Sequence, residues 1–277
     1  MTSPITSHRN ERVKAIKRLV LDAGERRRLG LTVVEGIRVA TDHLRAGGSV
    51  AEALVSSRLS ELEGGSALLA LLLERLADRP EHVMRVSDEV LGSVSDTRAA
   101  QGVLLCVPRP AHAGLPQASG RPVLVAWELQ DPGNAGSLVR TAEAAGCAAT
   151  IFAASPGGPL VDAFSPRAVR AAASSSLRLP VHEWRGEPQN LVAELHAAGF
   201  RVACCVAHDA APPDAVNLLG AVALVIGAET RGIPESIAGA ADVAVTIPLE
   251  AAAESLNAAA AAAIIVFEAA RQRRGGA

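Results

Sequence analysis

Between residues 122 and 277 short, largely apolar runs recur at 123–126, 150–153, 201–206, 222–226 and 243–247, and segments with helical periodicity separate them. A strand that is apolar throughout must be covered on both faces. Alternation of such strands with helices therefore restricts the chain to an α/β fold with a parallel sheet between two helical layers. In folds of that kind the loops that carry chemistry lie at the carboxyl ends of the strands. A last helix is expected over residues 255–273, and its run of alanines at 258–263 would let it pack close to another backbone.

Upstream, four prolines and two glycines fall within residues 108–122 and deny that stretch regular structure. The expected organisation is a small α/β domain over 1–108, a linker over 109–121 and the sheet domain over 122–277. In the first domain Val13, Ile16, Leu19 and Val20 share one helical face. Strands are expected at 31–34, 54–55 and 103–107. Ile37, Ala40 and Leu44 suggest a second helix, residues 67–76 a third, and Ser87 the cap of a fourth. With 49% hydrophobic residues but 2% aromatic and no tyrosine, both cores must be built from aliphatic side chains.

The net charge of −2 hides a basic cluster. Arg9, Arg12, Lys14, Lys17, Arg18, Arg26, Arg27 and Arg28 face only Glu11, Asp22 and Glu25 in the first thirty residues. Such a cluster is either a solubilising surface or a footprint for phosphate. Cys106, Cys147, Cys204 and Cys205 sit in apolar surroundings without the spacing of a metal site, and read as reduced, buried thiols. The first residues are polar, unlike a secretory signal, and the longest apolar run, 258–267, is too short to span a bilayer. A cytoplasmic protein with no metal and no membrane partner is expected.

Three segments of the second domain carry the polar residues that its fold does not require. In the first, a Pro132-Gly133 turn leads to Asn134, Gly136 and Arg140. Asn134 could be a helix cap, and the segment alone indicates an anion or substrate loop. The second is Leu224, Ile226, Gly227, Ala228, Glu229 and Gly232, a strand running into a loop whose glycines admit a ligand close to the backbone. The third is Ile247, Pro248 and Leu249, followed by Ser255, Leu256 and Asn257 at the start of the alanine-rich helix. Capping accounts for one of Ser255 and Asn257 but not readily for both. Motifs for dinucleotides, phosphate loops, zinc and serine-hydrolase elbows are absent.

In this order and spacing the three segments resemble the signature motifs of the SpoU (TrmH) family of RNA 2′-O-methyltransferases, within the SPOUT superfamily. Asn10, Lys14, the Arg26-Arg27-Arg28 run and Glu35-Gly36 resemble the auxiliary domain of two-domain members, a ribosomal L30e-like RNA-binding fold. The resemblance implies a trefoil-knotted methyltransferase domain, S-adenosyl-L-methionine as cofactor and a homodimer with its active site at the subunit interface. It implies a catalytic set of Arg140, Asn134, Glu229, Ser255 and Asn257. The cofactor would lie against Leu224, Ile226, Gly227, Ala228, Glu229, Gly232, Ile247, Pro248, Leu249, Leu256 and Asn257. RNA, most simply 23S ribosomal RNA, would meet Arg9, Lys14, Arg26, Arg27, Arg28, Arg167 and Arg170. Resistance methyltransferases of the thiostrepton and avilamycin type share the two-domain plan. Transfer RNA methylation, or RNA binding without catalysis, are the readings left beside it. The chain departs from the family at Ala172, Ser174 and Ala251, where Ser, Gly and Gly are common.

Overall fold

The computed structural model describes residues 3–228, 231–250 and 255–275. In chain order the elements are α1 (Glu11–Leu21), α2 (Ala23–Leu29), β1 (Leu31–Glu35), α3 (Ile37–Arg45), β2 (Glu52–Val55), α4 (Arg58–Glu61), α5 (Gly65–Arg75), β3 (Val83–Arg85), α6 (Asp88–Val94) and β4 (Val103–Pro108). After an irregular stretch come β5 (Val123–Trp127), α7 (Pro132–Ala144), β6 (Ala149–Ala154), α8 (Pro166–Ala171), β7 (Val181–Arg185), α9 (Pro188–Ala197), β8 (Arg201–Cys205), β9 (Val222–Gly227), α10 (Glu235–Ala238), β10 (Val243–Val245) and α11 (Ala258–Gly275). The chain divides into two compact units, Met1–Pro110 with Phe164–Ser174, and Ala111–Ala163 with Ser175–Ala277.

The first unit has a four-stranded sheet in the order β1-β4-β2-β3, with only the β2–β3 pair parallel. Asn10 caps α1, its Oδ1 accepting from the Arg12 and Val13 amides. The four apolar residues expected on one face of α1 are all buried. Ser87 caps α6 as expected, its Oγ accepting from the Val90 amide. Helix α2, which the pattern did not reveal, is about two turns long and is held by its ends. Asp22 accepts from the Gly24 amide at 2.7 Å, and Gly30 closes the helix in the left-handed conformation at φ 62°.

Residues 164–174 belong to this unit, although the sequence reading assigned them to the sheet domain. Thr32 Oγ1 donates to the Phe164 carbonyl at 2.6 Å, and the Arg109 guanidinium lies 4.6 Å over the Phe164 ring, a cation–π contact. Phe164, Ala168 and Val169 are buried here. Ser174, standing where the family commonly has glycine, takes φ 64° and donates from Oγ to the Val39 carbonyl at 3.4 Å.

The second unit is a six-stranded sheet in the order β10-β8-β9-β5-β6-β7, every pair parallel. This is the covered parallel sheet that the apolar runs require. Val123, Val125 and Trp127 face one layer with α9 and α10, where Leu191, Leu195 and Ile237 are buried. On the other side α7 and α11 pack against each other, with Leu138, Val139, Ala262 and Val266 fully buried. Register places Trp127 beside Gly227 and Ala153, so β5, β6 and β9 end together. Strand β7 was not expected, because Glu183 and Arg185 interrupt its apolar residues at the sheet edge. The stretch 111–121 has no regular element, as its prolines dictate, yet it is fixed to the second unit. His182 Nδ1 donates to the Gly114 carbonyl at 2.7 Å, and the Ala118 amide donates to the Ala198 carbonyl at 2.9 Å.

Candidate cofactor and active site

The carboxyl ends of β8 and β9 and the start of α11 enclose a cavity of about 270 Å³. One wall is Ile226, Gly227, Ala228 and Gly232, another is Ile247 and Leu249, and Ser255, Leu256, Ala258 and Ala261 close it. Seven of the expected cofactor residues therefore come together, with Ser255 of the expected catalytic set among them. Cys205, Val206 and Ala207 supply the remaining wall. The sequence reading missed these three, since nothing in a sequence states that β8 lies beside β9. Burial pushes the Cys205 thiol up to about 11, so it lines the cavity as a neutral, apolar group.

The wall at Gly227 depends on its lacking a side chain. A Cβ there would meet the Gly232 carbonyl carbon at 2.2 Å, because the turn folds back so that the Gly232 amide donates to the Ala228 carbonyl at 2.9 Å. Gly232 itself sits at φ 63°, which a residue with a side chain adopts reluctantly. The result is a cradle of bare backbone next to aliphatic walls. That combination fits the flat adenine of S-adenosylmethionine, whose polar edge needs main-chain partners and whose faces need apolar ones.

Asn134 does not cap α7. Asp131 does, accepting from the Asn134 amide at 2.8 Å, with Pro132 in the first helical position. The Asn134 side chain is thereby turned to another use: its Oδ1 accepts from Asn257 Nδ2 at 3.2 Å. Asn257 caps α11 with its own Oδ1, which accepts from the Ala259 amide at 2.9 Å and the Ala260 amide at 3.4 Å. The helix consequently starts at Ala258 rather than at 255. One hydrogen bond thus joins the first and third motifs at the edge of the cavity.

The other expected residues fall elsewhere. Arg140 is exposed on α7 and is not among the residues lining the cavity. Leu224 is buried in the middle of β9 between Leu124 and Ala203, and Pro248 is exposed between two lining residues. Glu229 lies outside the described residues, as does Ala251.

All the residues expected to meet RNA lie in the first unit, Arg167 and Arg170 included, because α8 packs on β1. Arg9, Arg27 and Arg167 are exposed. Lys14 is paired with Glu11 at 2.8 Å, Arg28 with Glu25 at 2.8 Å and Arg170 with Asp96 at 3.1 Å. Arg26 is a correction to the expected RNA face. It is 4% exposed, and its Nη1 donates to the Leu19 and Val20 carbonyls at 2.5 and 3.0 Å, so it closes the end of α1. Among the described residues no group of three or more His, Cys, Asp or Glu side chains is placed to hold a metal ion, and no helix is long and apolar enough to cross a membrane.

Comparison with known proteins agrees with this geometry. The model of the SpoU rRNA Methylase family matches residues 121–267, and that of the MRM3-like substrate binding domain matches residues 10–105. The 23S rRNA (guanosine(2553)-2′-O)-methyltransferase RlmP of Bacillus subtilis (strain 168) is 30% identical over 266 residues, covering 95% of this chain and 97% of the relative. The 23S rRNA (uridine(2479)-2′-O)-methyltransferase of Streptomyces viridochromogenes is 28% identical over 279 residues, covering 98% and 93%. Among solved structures, an RNA 2′-O ribose methyltransferase superposes with a TM-score of 0.80 at 28% identity, covering 98% of this chain and 100% of that one. The SpoU methyltransferase AviRb from Streptomyces viridochromogenes, in complex with the cofactor AdoMet, superposes with a TM-score of 0.79 at 26% identity, covering 97% and 100%. The chain belongs to the SpoU rRNA Methylase family, and is a two-unit α/β methyltransferase whose methyl donor is S-adenosylmethionine.

Proposed function

We propose that this chain methylates a ribose 2′-oxygen of one nucleotide in 23S ribosomal RNA, acting in the cytoplasm as a homodimer. The observation that carries the reading is the Asn257–Asn134 hydrogen bond, which ties the first motif to a cavity built from the second and third. The two relatives named above are both 23S ribosomal RNA enzymes, and the first unit matches a substrate-binding domain, which supports ribosomal over transfer RNA.

The donor supplies an already activated methyl group. The protein's work is then alignment of the ribose oxygen and stabilisation of the charge that develops on it. Ile226, Gly227, Ala228, Ile247, Leu249 and Leu256 hold the cofactor. Asn134, Asn257 and Ser255 orient the ribose. A guanidinium is a poor base, so Arg140 serves as a clamp for the adjoining phosphate and the developing alkoxide. Arg140 stands outside its own chain's cavity, and α11 exposes Ile264 and Phe267, 42% and 45% accessible. Both facts fit a second copy seated on this face and receiving Arg140 at its own cavity. The finer assignment, a mark that protects the ribosome from an inhibitor, predicts raised inhibitor tolerance in cells carrying the chain and none with Arg140→Ala.

The test is transfer of label from methyl-tritiated donor to 23S, 16S and transfer RNA presented in parallel. Label confined to 23S RNA, in dinucleotides resistant to alkali, supports the reading. Label confined to transfer RNA overturns the substrate assignment.

A further inference from the structure

Glu128, the residue after β5, has the left-handed backbone conformation at φ 48°, uncommon for a residue with a side chain, and is 8% exposed. Its amide keeps the sheet register by donating to the Ala153 carbonyl at 2.8 Å. The carboxylate is held on one side. Oε1 accepts from the Ser155 hydroxyl and, at 3.4 Å, from the Ser155 amide. Gly158 lies directly against this pair, since a Cβ there would meet Glu128 Oε1 and Ser155 Oγ at 2.5 Å. Arg185 Nη1 in turn donates to the Ser155 and Gly158 carbonyls at 3.4 and 2.9 Å. The other carboxylate oxygen, Oε2, faces Arg231 Nη1 at 3.9 Å.

Arg231 adjoins Gly232, the residue that folds back onto Gly227 and lines the cavity. Arg231 is 71% exposed, whereas the Glu128 side chain is 10% exposed, so a buried carboxylate faces an exposed guanidinium beside Gly232. We infer that Glu128 is a positioning residue that tethers the turn around Gly227 and Gly232 through Arg231, holding the cavity wall in its cofactor-binding shape. It acts through Arg231 rather than by touching the reacting atoms. The inference rests on the S-adenosylmethionine reading of the cavity. Its physical basis is preorganisation: a wall held in place before binding need not be ordered by the ligand.

The test is a double-mutant cycle on cofactor affinity, measured by calorimetry with S-adenosylhomocysteine on the full chain. Glu128→Gln keeps size and polarity at Ser155 but removes the charge. Arg231→Ala is an exposed truncation that leaves folding intact. Each single variant is expected to weaken binding about two- to fivefold, the upper part of the range for a partly exposed ion pair. The double variant should be no weaker than either single, and the KM for the donor should rise with kcat nearly unchanged. Raised salt should weaken binding by the wild type more than by the variants. Single variants that bind as the wild type does, or losses that simply add in the double variant, would overturn the tether while leaving the reading of the cavity in place. A wild-type chain that binds neither S-adenosylmethionine nor its product would overturn both.

Discussion

Asn257 Nδ2 donates to Asn134 Oδ1 at 3.2 Å, while Asn257 Oδ1 accepts from the first amides of α11. One side-chain amide thus caps a helix with its oxygen and joins two motifs with its nitrogen. The two roles can be separated. Asn257→Asp keeps an acceptor for the cap and loses the donor, so kcat should fall at least tenfold with little loss of thermal stability. Asn257→Ala loses both roles and should also cost about 1 kcal/mol of stability. Asn134→Asp keeps an acceptor for Asn257 and should be the milder change. Steady-state kinetics beside thermal melts check the set, and equal losses in all three would refute the division.

Gly227→Ala should damage cofactor binding specifically. Its Cβ would lie 2.2 Å from the Gly232 carbonyl carbon, a backbone atom that yields only if the turn opens. Overpacking of this kind costs roughly 1–3 kcal/mol, so affinity for S-adenosylhomocysteine should fall about tenfold or more. Affinity for RNA should be unchanged. Calorimetry and a filter-binding assay on the same variant separate the two.

The basic run divides in the same manner. Arg26→Ala removes a buried guanidinium from two main-chain carbonyls, and should destabilise the first unit by about 2 kcal/mol. Arg27→Ala, on the exposed side, should leave stability alone, weaken RNA binding and reduce its salt dependence. Denaturant melts and salt titrations of RNA affinity measure both. An unchanged salt slope for Arg27→Ala would remove α2 from the RNA face.

The contrast shows what the sequence can and cannot convey. A triplet of arginines reads as one charged patch, because charge is visible in a sequence and burial is not. Burial of Arg26 follows from the junction of α1 and α2, which Asp22 and Gly30 create over too few residues to show a period. The parallel sheet and its apolar strands were legible because burial on both faces leaves a continuous signature. The three motifs were legible through their order and spacing, which resemble the family's signature; taken singly, each segment has an ordinary structural reading, as the cap that Asn257 makes on α11 illustrates. The wall from Cys205 to Ala207 was not, since neighbouring in the sheet order β10-β8-β9-β5-β6-β7 is fixed by crossovers rather than by local pattern. Nor was the placement of 164–174, whose partners Thr32, Val39 and Arg109 lie far upstream in the chain.

His182 should make the second unit acid-sensitive. Burial lowers its pKa from the ordinary 6.5; its hydrogen bond to Gly114 opposes that, and His112, 5.1 Å away, adds to it. The fold therefore favours the neutral ring. Its contribution is full above the unfolded value and is lost as pH falls from about 6.5 through the depressed folded value. Thermal midpoints should drop across that window, and His182→Gln, which cannot titrate, should flatten the dependence. An equally steep fall in the variant would assign the sensitivity to other groups.

Ribose methylation by this chain is read out by nucleoside mass analysis of unmodified 23S RNA treated with the purified protein and S-adenosylmethionine. A single 2′-O-methylnucleoside should form, approaching one per RNA, and should disappear with Arg140→Ala although that variant still binds the cofactor. A base-methylated nucleoside, or no methylation by a wild-type chain shown to bind its cofactor, would contradict it.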